Sequence, residues 1–312
     1  MTLERTSQHD PTPGARPGGV SDPAAAAQSI QQMFDAIAPR YDLLNHLLSA
    51  GIDRLWWRRT ARALRPILAR PEAVVLDLCC GTGDMTLALD RLRPKPRNRV
   101  PQGLKPLSST PPIGIRSTSL RTGSEAVPLS KTALSATGEA VPLSKTSLFA
   151  AGEAAPILAV DFSRKMLALA QPKFARRNIR AIEADALHLP FADGSIDLVT
   201  CAFGFRNLAS YADGLAELHR VLRPGGQIAL LDFNQPTGLV GALYSLYFKR
   251  ALPLLGRLIS RDSRAYTYLP ESVARFPRPP RMIELIAAAG FAAPSWTPYT
   301  FGIAGLYRAT KL

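Results

Sequence analysis

Cysteine is scarce and poorly placed for its structural uses. The 312 residues hold three, adjacent at 79 and 80 and single at 201. The even, spaced set that staples a small secreted domain is missing. Neighbouring cysteines form neither an unstrained disulfide nor a corner of a tetrahedral zinc site, and Cys201 is far along the chain. The four histidines (9, 46, 188 and 219) show no ligand spacing, so no metal is expected. Long apolar runs are also lacking: none reaches the ~20 residues of a membrane helix. The nearest, 238–260, is broken by Lys249 and Arg250. The N-terminal residues lack the apolar segment of a secretory signal, so a cytoplasmic location is expected. Acidic residues are outnumbered, 24 against 38 Lys and Arg, for a formal charge of +14. Such a balance invites nucleic acid as a partner. Its distribution argues against one, because a net +7 lies in 91–155, a segment with the composition of a loop.

That segment is foreign to its flanks. It opens rich in proline and arginine and runs into a tandem repeat, "SEAVPLSKT" (124–132) returning as "GEAVPLSKT" (138–146), with "GEAAP" (152–156) starting a third copy. The 14-residue period is shorter than that of solenoid repeats and carries too few large apolar residues to bury a face between copies. Residues 93–155 are therefore expected to be a disordered, low-complexity insertion. Residues 1–28 are expected to be a disordered tail, and 29–312 one domain interrupted by the insertion.

With the insertion set aside, strands and helices alternate. "AVVLDLCC" (73–80) suits a buried parallel strand, "GTGD" turns the chain and "MTLALDRL" begins a helix. "APILAVDFS" gives a second strand ending in Asp161, and Ser163 can cap the helix "RKMLALAQPKF". "IRAIEADALHLP" is a third strand, "SIDLVTCAFGF" a fourth, "YADGLAELHRVLR" a helix closed by "PGG", and "GQIALLDF" a fifth strand. This predicts a doubly wound, mainly parallel α/β sheet, Rossmann-like. The insertion follows a helix and precedes a strand, away from the strand C-termini where such sheets bind ligands.

The turn Gly81-Thr82-Gly83-Asp84 is not a phosphate cradle, having neither a third glycine nor a lysine. Its two glycines allow close backbone approach, while Asp84 repels phosphate. Asp161 at the second strand end is placed to accept from ribose hydroxyls, and Asp185 ends the third strand, next to Ala186. Acidic and small residues at successive strand ends suit a nucleoside with a cationic tail, as in S-adenosylmethionine. The cysteines then serve as small packing residues.

"VLDLCCGTGD", "AVDFSRKML", "ADALHLPFADGSIDLV" and "RVLRPGGQIALLDF" resemble the motifs of class I S-adenosylmethionine-dependent methyltransferases. "MFDAIAPRYDLLNHLLSAGIDRLWWR" (33–58), "FGFRNL" (203–208) and "RDSRAYTYLPESVARFP" (261–277) narrow the resemblance to the quinone C-methyltransferases of menaquinone and ubiquinone biosynthesis. It covers 30–92 and 156–312. It implies cofactor contacts at Thr82, Asp161, Asp185 and Ala186, with Gly81 and Gly83 shaping the turn. Ala202 stands where some members carry a serine, and Asp232 where glutamate is usual. The implied reaction is methylation of demethylmenaquinol to menaquinol, with a polyprenyl benzoquinol as the alternative acceptor.

Carbon methylation of a quinol requires a stabilised phenolate. Arg206 and Asn207, after the fourth strand, are candidates for that role, as hydrogen-bond donors rather than bases. The alternative is a structural salt bridge at Arg206 and a turn cap at Asn207. Tyr41, Asp42 and Asn45 lie in an N-terminal helical region that either closes over the cofactor or staples itself to the core. Segment 238–281, net +6 and amphipathic, is expected to be a helical cap. Its basic face either touches anionic lipid at the inner face of the membrane or is solvated.

Overall fold

The computed structural model describes residues 14–17, 20, 22–38, 49, 51–94, single positions and short pieces within 133–149, 153–238, 241 and 264–312. Apolar strands built mainly of Val, Ile and Leu pair with helices between them, and the result is one seven-stranded sheet. Its strands are β1 (Val75–Leu78), β2 (Ile157–Asp161), β3 (Ile179–Glu183), β4 (Ile196–Ala202), β5 (Leu222–Phe233), β6 (Phe291–Tyr299) and β7 (Ala304–Lys311). They lie in the order β3-β2-β1-β4-β5-β7-β6. The first five run parallel, whereas β7 is antiparallel to both β5 and β6. The direction of strand addition reverses between β1 and β4, which is where open α/β sheets place their ligand crevice.

Helices cover both faces. They are α1 (Pro23–Ile37), α2 (Ile52–Ala63), α3 (Arg65–Leu68), α4 (Asp84–Asp90), α5 (Arg164–Phe174), α6 (Tyr211–Val221), α7 (Arg264–Arg275) and α8 (Pro279–Ala288). The period-2 alternation of β1 sorts its side chains between two cores. Val74, Leu76 and Leu78 pack with Leu215 and Leu218 of α6 and Ile286 of α8. Val75 packs with Trp56, Leu68 and Leu89 on the other face. Asp77 also faces that side, wholly buried, and accepts hydrogen bonds from the Thr86 and Thr200 hydroxyls at 2.6 Å each. Burial pushes its carboxyl up to about 6.

Several boundaries differ from those expected. α1 starts at Pro23, ahead of the domain boundary expected at residue 29, and the Asp22 carboxylate accepts from the Ala25 N–H. Ahead of it, the Ala15 N–H donates to the Leu208 carbonyl and the Arg16 guanidinium to that of Ala209. The third strand ends at Glu183, short of Asp185. Pro224-Gly225-Gly226 does not close α6, which passes directly into β5. Those residues form an irregularity in the pairing of β5 with β4, between Leu222 and Gln227. A glycine at φ +75 lets the strand bulge there.

The insertion leaves the end of α4 and re-enters β2 at the edge opposite the strand C-termini. Its root is clamped by Arg93, whose guanidinium donates to the carbonyls of Pro71, Ala73 and Ala155. Within 93–155, Ala133–Leu134 pairs with Ala140–Val141. The Leu143 backbone bonds to Pro190 and Ala192.

Candidate active site

Three strand ends converge on one cleft. Leu78 closes β1, Asp161 closes β2 and Ala202 closes β4, and all three line the cleft. Beyond β1 the backbone turns sharply, with Cys79, Gly81 and Gly83 all at positive φ (52°, 55° and 90°). The Asp161 carboxylate fixes this turn from the neighbouring strand. One oxygen accepts from the Gly81 N–H at 2.8 Å and the other from the Ser163 N–H at 2.9 Å. Burial pushes Asp161 up to about 6, against the pull of these bonds. Ser163 also caps α5, accepting from the Met166 N–H, so one short stretch sets both the acid and the helix behind it.

The six expected cofactor residues fall into two groups. Gly81, Asp161, Asp185 and Ala186 line the cleft. Thr82 and Gly83 do not: Thr82 is buried, and a Cβ on Gly83 would sit 2.5 Å from the Phe174 ring of α5. Gly83 therefore serves helix packing and the turn rather than ligand approach. Asp185 sits in a turn beyond β3, where its carboxylate accepts from the Leu187 N–H at 2.9 Å. Asp84 is absent from the cleft wall and faces Lys173 at 3.5 Å.

Arg206 and Asn207 are adjacent in sequence and separate in role. Arg206 is buried and not among the lining residues. Its guanidinium meets Asp232 of β5 at 3.1 Å, and its backbone N–H donates to the other oxygen of the same carboxylate. Further bonds go to the Ser272 hydroxyl of α7 and the Phe203 carbonyl. The salt bridge, the alternative weighed for Arg206, is what the geometry contains. A cation this deep faces the carboxylate that compensates it. Asn207 does line the cleft, and its Oδ1 accepts from the Tyr268 hydroxyl at 2.9 Å. The N–H donors of the Asn207 amide then remain to offer a ligand.

A covering N-terminal helical region was weighed from the sequence, but not the residues of α1 that line the cleft. Ala27, Ile30 and Phe34 of α1 form one wall, held by three ties. Gln31 donates to the Phe162 carbonyl, Ser163 donates to Asp35, and Phe34 meets Phe162 edge to face. Apolar residues on the inner stripe of a helix beginning at Pro23 were the available signal. Tyr41, Asp42 and Asn45 lie outside the described residues, as does most of the 238–281 cap. His219 lies well away from the cleft, packed against Phe291.

The cleft fits S-adenosylmethionine on its own chemistry. A buried carboxylate has acceptor capacity left for ribose hydroxyls, small residues at 81 and 186 leave room, and the walls are largely apolar.

Comparison with known proteins agrees. The profile of the ubiE/COQ5 methyltransferase family matches residues 23–100 and 122–311. The demethylmenaquinone methyltransferase of Deinococcus radiodurans is 40% identical over 295 residues, covering 94% of this chain and 96% of the relative. That of Thermus thermophilus is 40% identical over 278 residues, covering 88% and 98%. Among solved structures, the [4+2]-cyclase SpnF superposes with a TM-score of 0.55 over 96% of this chain and 98% of its own. A SAM-dependent methyltransferase from Thermotoga maritima does so with 0.52 over 90% and 99%. Both structures are 13% identical and show the fold alone. The sheet order, the acid at the end of β2 and the matched span lead to one conclusion: this chain belongs to the ubiE/COQ5 methyltransferase family.

Proposed function

We propose that this protein transfers a methyl group from S-adenosylmethionine to a ring carbon of demethylmenaquinol, yielding menaquinol. The observation that carries this is the cleft at the sheet's switch point, built around Asp161 and the Gly81 turn, in a chain 40% identical to two demethylmenaquinone methyltransferases over most of its length.

Asp161 holds the ribose hydroxyls, Asp185 and Ala186 flank the adenine, and the turn at Gly81 admits the methionine portion. Thr82, a contact implied by the family motif, acts from behind the turn. When bound, the cofactor supplies an electrophilic methyl on a sulfonium. The acceptor carbon becomes nucleophilic as the neighbouring phenol loses its proton, and the Asn207 amide donates to that oxygen as charge builds on it. Tyr268 orients the amide. Arg206 is a positioning residue that ties the 203–207 turn to β5 through Asp232. Ile30 and Phe34 of α1, with Met166 and Leu208, exclude water from the methyl path.

A lipid-tailed acceptor is drawn from a bilayer. Among the described residues no helix is long and apolar enough to cross one, and the contact proposed is peripheral. Leu55 and Phe301 are exposed, Phe301 by 85%, and Trp56 bonds Thr300 between them. Arg54 and Arg58 share α2 and suit an anionic surface. Flotation with anionic but not neutral vesicles, lost in Leu55→Ser/Phe301→Ser, is the expected result; flotation that ignores lipid charge would refute it.

The deciding experiment is methyl transfer from labelled S-adenosylmethionine to reduced demethylmenaquinone, with a demethylated benzoquinol as competitor. Label is expected in menaquinone. Label in the benzoquinol alone would move the protein to the ubiquinone reaction. Label in neither, with the cofactor still bound, would refute a quinol acceptor.

A further inference from the structure

Two thiols far apart in sequence meet at the floor of the cleft. Parallel pairing of β1 with β4 sets Leu78 beside Cys201, so Cys79, the next residue, arrives against Cys201. Gly204 passes directly over them. A Cβ there would lie 2.2 Å from the Cys79 Cβ, 2.9 Å from its Sγ and 3.2 Å from the Cys201 Sγ. Cys79 and Gly204 both line the cleft, whereas Cys201 is buried. Cys80 takes no part: it packs on the other side with Ala159, Leu167 and Phe174.

We propose that Cys79 and Cys201 form a dithiol that the oxidised quinone converts to a disulfide, closing the site to its cofactor. Two S–H bonds break and one S–S bond forms. The two electrons and two protons pass to the quinone carbonyl oxygens, leaving a quinol. No other oxidant is needed; the identity of this one rests on the quinol acceptor proposed above. Catalytic and redox-sensing disulfides of this kind occur in reducing compartments. A disulfide needs ~2.05 Å between sulfurs and a dihedral near 90°, so Cys79 must shift. It sits at φ 52°, two residues before Gly81, whose N–H Asp161 holds. A shift at Cys79 therefore pulls on the turn that receives the cofactor. Methyl transfer, which requires the reduced ring, would then stop when the quinone pool is oxidised.

The test uses the full chain under nitrogen, treated with 1,4-naphthoquinone or, separately, diamide. Non-reducing peptide mapping locates the bond, and calorimetry measures S-adenosylmethionine affinity. The expected result is a Cys79–Cys201 disulfide with both oxidants, a tenfold or greater loss of affinity, and recovery with dithiothreitol. Cys201→Ala, or Cys201→Ser if the alanine variant does not fold, should keep its affinity after quinone treatment. An aryl thioether on Cys79 in place of the disulfide would overturn the proposal. So would a Cys79–Cys80 bond, a disulfide formed with diamide alone, or a disulfide that leaves affinity unchanged. These readouts do not use methyl transfer, so failure to methylate a quinol is a separate result.

Discussion

Mild acid should release the cofactor while firming the empty fold. Asp161 lies at about 6, raised from 3.8 chiefly by burial. Its ionised form is the acceptor that ribose hydroxyls need. With a value near 6 the carboxylate fraction is roughly nine-tenths at pH 7 and one-tenth at pH 5. If only the carboxylate binds, apparent affinity falls roughly tenfold across that interval. Stability moves the other way. Because the folded value lies above the ordinary one, the native state holds more protons than the unfolded chain between 3.8 and about 6. The empty protein therefore loses stability as pH rises through that window. Asp77, also at about 6 through burial, adds to the stability trend. It is occupied by Thr86 and Thr200, away from the ligand. Asp35, bonded to Ser163, is the other nearby carboxylate that raises Asp161. Calorimetry with S-adenosylmethionine at pH 5, 6 and 7 and constant ionic strength measures the effect. Asp161→Asn should bind more weakly throughout and show no slope, since an amide can serve only one of the two N–H groups now bonded. A wild-type affinity constant within twofold from pH 5 to 7 would refute the assignment, as would the same slope in the variant.

Other perturbations have defined outcomes. Asp232→Ala leaves the Arg206 guanidinium buried without its carboxylate and should cost about 3–5 kcal/mol in urea unfolding; a loss below 1 kcal/mol would mean that water reaches the arginine. Asn207→Ala should lower turnover by roughly 10²-fold while S-adenosylmethionine affinity stays within twofold, and equal losses in both would remove Asn207 from the chemistry. Gly83→Ala forces a Cβ into Phe174 at φ 90° and should cost about 2 kcal/mol or more, part of it recovered by Phe174→Leu. Replacing 96–152 with a six-residue linker should preserve cofactor binding, with a gain of about 2 kcal/mol from the shorter loop set against the lost Leu143 contacts; loss of binding would show that the segment supports the site.

The parts of the fold legible in the sequence are those whose signals are local. α5 runs over the residues expected because Ser163 caps it and the strand before it ends in a functional acid. The β6–β7 pair was not foreseen: Pro294 and Pro298 interrupt the strand pattern of β6, and that stretch becomes the sheet edge only by pairing with β7, which itself pairs with β5. Asp161 could be placed because one strand delivers it. Arg206 could not, since its partner Asp232 comes from another strand, and a charge beside a conspicuous motif looks the same whether it faces ligand or carboxylate. Cys79 and Cys201 were judged apart by chain distance, although the expected fold already allowed their strands to be neighbours.

The Arg93 clamp makes the rear edge of the sheet a socket. Arg93, where the insertion departs, grips the carbonyl of Ala155, where it returns, together with those of Pro71 and Ala73 ahead of β1, so both ends are fixed at the rear edge of the sheet. Copies of a 14-residue unit gained or lost between those ends would leave this root unchanged. An engineer could use the same socket, seating a fluorescent or affinity module there to follow the enzyme while its cleft works undisturbed.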